Sequence, residues 1–305
     1  MTNGRFTEQI MTEAMRRLSA EHSLDTTGAS LLRLTNNAVF ALPAADVVIR
    51  IARTHRPDGR VVKGVTLARW FEQINAPTIR LAGPDQQPLL VDGLQATIWR
   101  YLPPTGPLTP RDLGPVLKEF HALGLPPFPL PFWNPVADSR RRLADAEGLH
   151  DRDRHTLEQW CDDLEPKLSE LRQRQTPRLV HGDAHVGNLL RDGSRVVFCD
   201  FDPINTGPWQ VDLVAVAVGE DRFGRPGAHR QLAESYGHDV REDPDWPLLR
   251  SARELKMIVA AVPLLASAPG VEQEFRTRLD TITNGDTSTR WTPFADLRRL
   301  SANDG

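Results

Sequence analysis

Cysteine is nearly absent from the 305-residue chain: Cys161 and Cys199 are its two examples, and neither stands in a close Cys-His cluster. A disulfide framework and a structural zinc site are therefore both unexpected. Charge of one sign is lacking too. Against 40 acidic residues there are 37 basic ones, a formal net charge of -3, with no basic arm or patch interleaved with aromatics. Nucleic acid is thus not an expected partner. Residues 1–17 show no apolar leader, and the most apolar late stretch, 257–266, contains Pro263 and is far too short to span a bilayer. These absences lead to the expectation of a cytoplasmic protein without a membrane partner. No internal repeat or long low-complexity tract appears, and nothing specifies an oligomeric state. Proline is plentiful, at 25 residues, and much of it punctuates loops. The length allows a substantial core and leaves room for a small lobe and a larger one.

The densest chemistry lies in one run. His181, Gly182 and Asp183 are followed by Asn188, then by apolar 189–190, apolar 196–198 and Asp200. Between the apolar stretches, Asp192 and Gly193, flanked by Arg191 and Ser194, form a strong turn signal, so the spacing predicts a hairpin. A hairpin brings its outer ends together, which would let Asn188 and Asp200 share a metal. Asp183, five residues before Asn188, is close enough for a loop to set it opposite them. An alcohol attacking the terminal phosphate of a nucleotide needs a carboxylate to orient it and accept its proton, and a divalent metal to absorb charge on the phosphate oxygens. One base and two oxygen ligands are the inventory for phosphoryl transfer.

The order His-Gly-Asp, four residues, Asn, then an apolar strand ending in Asp resembles the aminoglycoside phosphotransferase-like branch of the protein-kinase fold, which also includes choline, homoserine and sugar kinases. The resemblance implies an α+β, bilobal protein-kinase-like fold: a small N-terminal β-sheet lobe for nucleotide over 1–102, and a larger, mostly helical catalytic and substrate-binding lobe over 103–305. It implies ATP, with GTP left open, Mg2+, and a small-molecule hydroxyl acceptor such as an aminoglycoside, amino alcohol or sugar. By the same likeness Asp183 is the catalytic base, and Asn188 and Asp200 are magnesium ligands, Asp200 standing where the kinase Asp-Phe-Gly element begins. His181 would brace the loop by packing and a backbone hydrogen bond. His185 is a loop histidine for which an exposed or structural place is weighed against a direct role. Asp202 would share the side of Asp200 if the strand continued, and could assist the metal, meet substrate or simply be solvated. Asp212 matches the family's Asp-Leu at the start of the next helix and reads as an N-terminal cap and a clamp on the catalytic loop.

Upstream, Phe6, Ile10, Ala14 and Leu18 recur every four residues with Met11 and Met15 alongside, an amphipathic helix. Strands are expected over 31–34, 38–42 and 47–51, with a turn at 43–46. Thr35, Asn36 and Asn37 fall where the family covers the nucleotide phosphates, and their backbone amides could serve a phosphate, although Asn-Asn is also a common hairpin turn. Arg50 lies where the family has a lysine or arginine that pairs with the phosphates; an isolated surface arginine is the bland alternative. One departure stands out. Related proteins carry a glutamate near the start of the helix that here ends near 68–71, yet position 64 is Gly and Glu72 lies two turns further on. Either the register is shifted, or another acid holds Arg50, or nucleotide binding is weak. A further hairpin, 88–91 and 94–102 around Asp92 and Gly93, would place the backbone of Arg100, Tyr101 and Leu102 at the adenine edge.

In the second half, Thr109, Pro110 and Asp112 mark a capped helix start, and Leu113, Val116, Leu117, Phe120 and Leu123 a buried stripe, with His121 packed beside it. The proline- and aromatic-rich stretch 125–135 reads as a stiff loop over the core, with a proline-recognition ligand as the lesser alternative. A helix is expected over 154–173, broken or restarted at Pro166. Further helices are expected around 214–218, 229–236 and 246–265. The acids there (Glu220, Asp221, Glu234, Glu242, Asp243, Asp245) are mixed with Arg222, Arg225, Arg230 and Arg241, a pattern that favours a mixed-charge surface over an acidic pocket. Trp291 and Phe294 would anchor the tail. The leading expectation is a magnesium-dependent small-molecule kinase. A nucleotide-binding pseudokinase or scaffold is the rival, favoured by Gly64 and by the lack of an obvious phosphate loop. Transfer to protein is disfavoured, because the twelve positions from Asp200 to Asp212 leave little room for a peptide platform.

Overall fold

The computed structural model describes residues 6–34, 37–53, 59–265, 269–294 and 296–297. They form the two lobes of an α+β, protein-kinase-like fold, and the chain divides into one compact unit of Met1–Leu108 with Gly187–Pro203 and another of Thr109–Val186 with Ile204–Gly305.

The first unit is built on α1 (Glu8–Glu21) and an antiparallel sheet of β1 (Ser30–Leu34), β2 (Asn37–Leu42), β3 (Val47–Ala52), β4 (Leu89–Val91) and β5 (Leu94–Arg100), in the order β1-β2-β3-β5-β4. Thr7 caps α1, its side chain accepting from the Ile10 N–H. The buried stripe of α1 is Met11, Ala14, Met15 and Leu18, while Ile10 is 40% exposed. The four-residue recurrence from Phe6 drifts around a 3.6-residue helix, so the stripe that faces the sheet is the i, i+3, i+4, i+7 set. That stripe packs with Ala38, Phe40, Leu42, Ile49, Ile51, Ala96 and Ile98 into one apolar cluster. Period-two alternation turns Arg50, with its cross-strand partners Val39 and Thr97, toward the other face. The β4–β5 connection is the expected Asp92-Gly93 pair, both with positive φ (52° and 76°) as a two-residue hairpin loop of that hand requires. On the face opposite α1, α2 (Arg60–Gln73) buries Trp70 and Phe71.

The second unit is mostly helical: α3 (Pro110–Ala122), α4 (Pro135–Ala144), α5 (Asp151–Arg174), α6 (Val211–Phe223), α7 (Ala228–Tyr236), α8 (Trp246–Val259) and α9 (Pro269–Thr283). The capping box of Thr109 and Asp112 opens α3. α5 runs through Pro166 without a break. Both Pro166 and Asp162, whose carbonyl loses its partner there, are exposed, so water can serve that carbonyl. α8 ends at Val259 and a separate short turn follows at Val262–Leu264, so the apolar stretch to 265 is not one helix. α6 is buried on nearly every side, as its run of valine and alanine demands. α3 and α7 approach so closely at Gly114 that an added Cβ would lie 2.1 Å from Ser235 Oγ. The 125–135 loop is tied down rather than free: the Trp133 N–H donates to Thr206 O (2.7 Å) and the Thr206 N–H to Pro131 O (2.9 Å). Thr206 lies in β9 (Asn205–Gly207), which pairs with β6 (Arg178–Val180). At the tail, Trp291 is buried and Phe294 lies 3.7 Å from the Arg278 guanidinium, which salt-bridges Glu274 at 2.7 Å. Both thiols are free, and no described helix is long and apolar enough to cross a membrane.

Candidate active site

The chemistry-bearing residues form two clusters, one in each unit. In the first unit, β7 (Leu189–Asp192) and β8 (Arg195–Phe198) make the expected hairpin, although Asp192 pairs with Arg195 and the loop is Gly193–Ser194. The ladder continues past Leu189 and Phe198 by one bond, Cys199 N–H to Asn188 O at 2.9 Å, so Asn188 and Asp200 lie at the same open end. Bonds from Phe198 N–H to Pro77 O (2.8 Å) and from Ile79 N–H to Phe198 O (2.9 Å) fasten the hairpin beside the segment that follows α2.

Asp200 has φ +65°, a left-handed conformation that aspartate accepts more readily than a branched residue. The bend sends Phe201 inward, where it is 1% exposed and meets Phe71 and Trp99 edge-on at 5.3 and 5.1 Å. The enclosed Asp200 Oδ1 has no hydrogen-bond partner, and the Arg50 guanidinium lies 3.9 Å from it. Arg50 itself is ion-paired to Asp202, whose backbone carbonyl accepts from Lys63 Nζ at 2.8 Å. Enclosure of the guanidinium opposes its charge, but Asp202 and Asp200 more than offset this and hold its pKa above the ordinary arginine value. Of the three explanations for Gly64, the structure displays the second: another acid, Asp202, holds Arg50. Gly64 faces Phe201, and Glu72 is exposed. Burial and the neighbouring Asp200 push the Cys199 thiol up to about 12, so it is no nucleophile.

Among the other nucleotide-side expectations, Asn36 lies outside the described residues, and Asn37 opens β2 opposite Ala52. The Arg100 and Tyr101 amides are already taken, by Arg80 O and Asp46 O at 3.0 Å each. The exposed Arg100 side chain pairs with Asp192 at 3.3 Å. Leu102, just beyond β5, is half-buried.

The donors at the hairpin end fit magnesium. Mg2+ is characteristically held by one or two protein oxygens, with phosphate and water completing an octahedron. Asn188 is 2% exposed and Asp200 has an enclosed, unpartnered carboxylate oxygen. No set of three or more His, Cys, Asp or Glu suited to a metal occurs among the described residues, which argues against an all-protein cage rather than against this pair.

In the second unit the loop after β6 is held by Asp212. Its fully buried carboxylate accepts from the His181 N–H and the Gly182 N–H, at 2.7 Å each, and lies 3.0 Å from His121 Nε2. His121 Nδ1 lies 2.9 Å from the Tyr236 hydroxyl. The cap position of α6 is Gln210, so Asp212, inside the first turn, clamps the loop without capping the helix. His181 is wholly buried, its ring 6.3 Å from that of Phe120. Asp183 follows. Its Oδ1 accepts from Arg253 at 2.5 Å and lies 3.3 Å from Lys256 Nζ, while His185 Nε2 is 3.8 Å from Oδ2. Burial works against ionisation here, but Lys256, Arg253 and His185 outweigh it and hold the carboxyl well below the usual range. Desolvation and the two cations push His185 down to about 4 despite Asp183, so it is neutral at pH 7.

Arg253 and Lys256 were not legible as site residues. They come from α8, where Leu249, Ala252, Arg253 and Lys256 share one face and, with Trp133, Gly182, Val211 and Val214, line a pocket within this unit. The only sequence signal was the i, i+3 spacing of two cations on an amphipathic helix.

Residues 32–252 match the phosphotransferase enzyme family. The chain belongs to that family. No curated protein sequence matches it. Similar solved structures include an amicoumacin kinase in complex with AMP-PNP and Ca2+ (TM-score 0.68, 14% identity, 97% of this chain and 98% of that one). They also include a choline/ethanolamine kinase family protein from Mesorhizobium loti (0.59, 17%, 90% and 94%) and spectinomycin phosphotransferase with ADP and spectinomycin (0.52, 16%, 88% of each). At these identities the likeness is one of fold. Within this phosphotransferase-family chain, Arg50, Asn188, Asp200 and Asp202 gather in the first unit, and His181, Asp183, His185 and Asp212 in the second.

Proposed function

We propose that the chain transfers the terminal phosphate of ATP to a hydroxyl group of a small molecule. The observation that carries the reading is an ionised Asp183, fixed by Arg253 and Lys256 on a loop that Asp212 clamps, in a chain of the phosphotransferase family. Asp183 orients the acceptor hydroxyl and takes its proton as the oxygen–phosphorus bond forms and the bond to the bridging oxygen of ADP breaks. So acidic a carboxyl is a weak base, which suits a loose transition state in which positioning matters more than proton abstraction. Asn188 and Asp200 hold Mg2+, which supplies charge neutralisation on the phosphate oxygens. Arg50, oriented by Asp202, meets the phosphates. Backbone at 100–102 meets the base, with Leu102 supplying the N–H because those of Arg100 and Tyr101 are engaged. The phosphate and metal contacts are common to adenine and guanine nucleotides, so GTP is a second donor to assay.

The test is incubation with labelled ATP, magnesium and pooled hydroxyl compounds, with products identified by mass. A phosphorylated product that disappears in Asp183→Ala while nucleotide still binds supports the assignment. A nucleotide-binding scaffold is the second reading, favoured by the Arg50–Asp202 pair, in which the phosphate-side cation is already neutralised. Magnesium-dependent nucleotide binding without transfer to any acceptor would decide for it.

A further inference from the structure

Resting on that phosphotransfer reading, we infer that the acceptor carries a carboxylate near its hydroxyl, and that Arg253 and Lys256 of α8 bind it. From 220 to 245 every acid but the exposed Glu242 is paired elsewhere, Asp239 with His229 at 2.7 Å. Glu220 pairs with Arg241 at 3.3 Å, Asp221 with Arg241 at 2.7 Å and Arg250 at 3.2 Å, and Glu254 with Arg222 at 2.8 Å. Glu234 pairs with Arg111 at 2.9 Å, Asp243 with His238 at 2.9 Å, and Asp245 with Arg174. None of them lines the pocket, whose charged lining is Arg253 and Lys256. A cationic acceptor would meet two like charges there.

The local charge is unbalanced. Asp183 offers one negative charge to two cations, and His185 is neutral, which leaves one positive charge in excess. Asp138, the other acid acting on Lys256, is exposed and paired with Arg141 at 3.1 Å. The Arg253 Nε–H is enclosed and has no hydrogen-bond partner, although the guanidinium already reaches Asp183, so a carboxylate admitted beside it would satisfy a donor now unmet. An arginine fork with a donor left over suits a planar carboxylate. The rest of the lining, Trp133, Val211, Val214 and Leu249, is apolar around a cavity of about 10 Å³, room for the polar end of the acceptor while its body lies outside. When the carboxylate binds, it shares the cations with Asp183 and loosens their hold on Oδ1 as the hydroxyl arrives.

The experiment uses the full chain and one skeleton in three charge states: phenyllactate, methyl phenyllactate and the amino alcohol phenylalaninol. Binding is measured by ligand-observed NMR without nucleotide, and phosphate transfer separately with ATP and magnesium. The acid should bind about tenfold or more tighter than the ester or the amino alcohol. That preference should largely vanish in Arg253→Gln/Lys256→Gln and persist in the charge-retaining Arg253→Lys. Equal or tighter binding of the ester or amino alcohol overturns the inference, as does no binding of the acid or a preference unchanged in the double variant. If the double variant fails to fold, as read by its thermal transition, Arg253→Gln alone is compared with Arg253→Lys on the same criterion. Acid preference without transfer to any compound would leave this inference standing and count against the phosphotransfer reading. Transfer to all three without preference would do the reverse.

Discussion

Arg50 and Asp202, 152 positions apart in the chain, form an ion pair at the open end of the β7–β8 hairpin, where a helix glutamate would be looked for and Gly64 stands instead. Asp202 occupies the third place of the Asp-Phe-Asp element, so the turn that positions Asp200 also supplies the acid that orients Arg50. Arg50→Ala is expected to weaken ATP binding by about tenfold, or about 1.4 kcal/mol. Asp202→Asn is expected to lower kcat more than it changes nucleotide affinity, because the cation remains but loses its orientation. Titration calorimetry and steady-state kinetics on the two variants check both.

Asp183 governs the pH profile in a direction its environment fixes. Its folded-state pKa lies well below the unfolded one, so it remains ionised as pH falls from 7 to 5, and kcat/KM is expected to show no acid limb from this group in that range. In Arg253→Gln one of the cations that depress it is gone, and the limb should move up in pH. Asp183→Ala should lower kcat by about a hundredfold or more while nucleotide binding survives.

His185 adds a stability term of the opposite origin. The unfolded chain binds its proton below about 6.5, whereas the folded chain resists doing so until about 4, so stability should fall as pH drops through that window. The side chain is 38% exposed, so solvent screening keeps the slope well under the roughly 1.4 kcal/mol per pH unit of a sheltered group. Urea unfolding at a series of pH values, with His185→Gln as the comparison, should show the slope reduced in the variant.

Metal dependence separates the two proposed ligands from structural residues. Chelation should abolish transfer, and in Asp200→Ala the magnesium concentration needed for half-maximal rate should rise by at least about tenfold, with a smaller rise for the neutral ligand in Asn188→Ala. Magnesium titration of initial rates, with circular dichroism to verify folding, provides the measurement.

Gly114→Ala tests the packing of the second unit. The added methyl would sit 2.6 Å from the Ser235 carbonyl carbon and the Tyr236 nitrogen, which are backbone atoms and cannot swing aside. A loss of about 1–3 kcal/mol in unfolding free energy is expected, measured by denaturant titration.

Local chemistry was enough to read much of this protein. The Asp92-Gly93 turn, the Thr109 capping box, the alternation of β3 and the His-Gly-Asp to Asp200 run each depend on residues a few positions apart, whose geometry the backbone itself restricts. The family followed from that last run. Tertiary structure decided what spacing cannot express: that Asp202 holds Arg50, that Asp212 clamps His181 and Gly182 instead of capping α6, that α5 carries Pro166 unbroken, and that Arg253 and Lys256 reach Asp183 across 70 and 73 positions. The physical reason is that the partner of a charge is chosen by Coulomb attraction and burial among groups brought close by folding. Sequence patterns encode which face a side chain occupies, but not which distant charge will be waiting there.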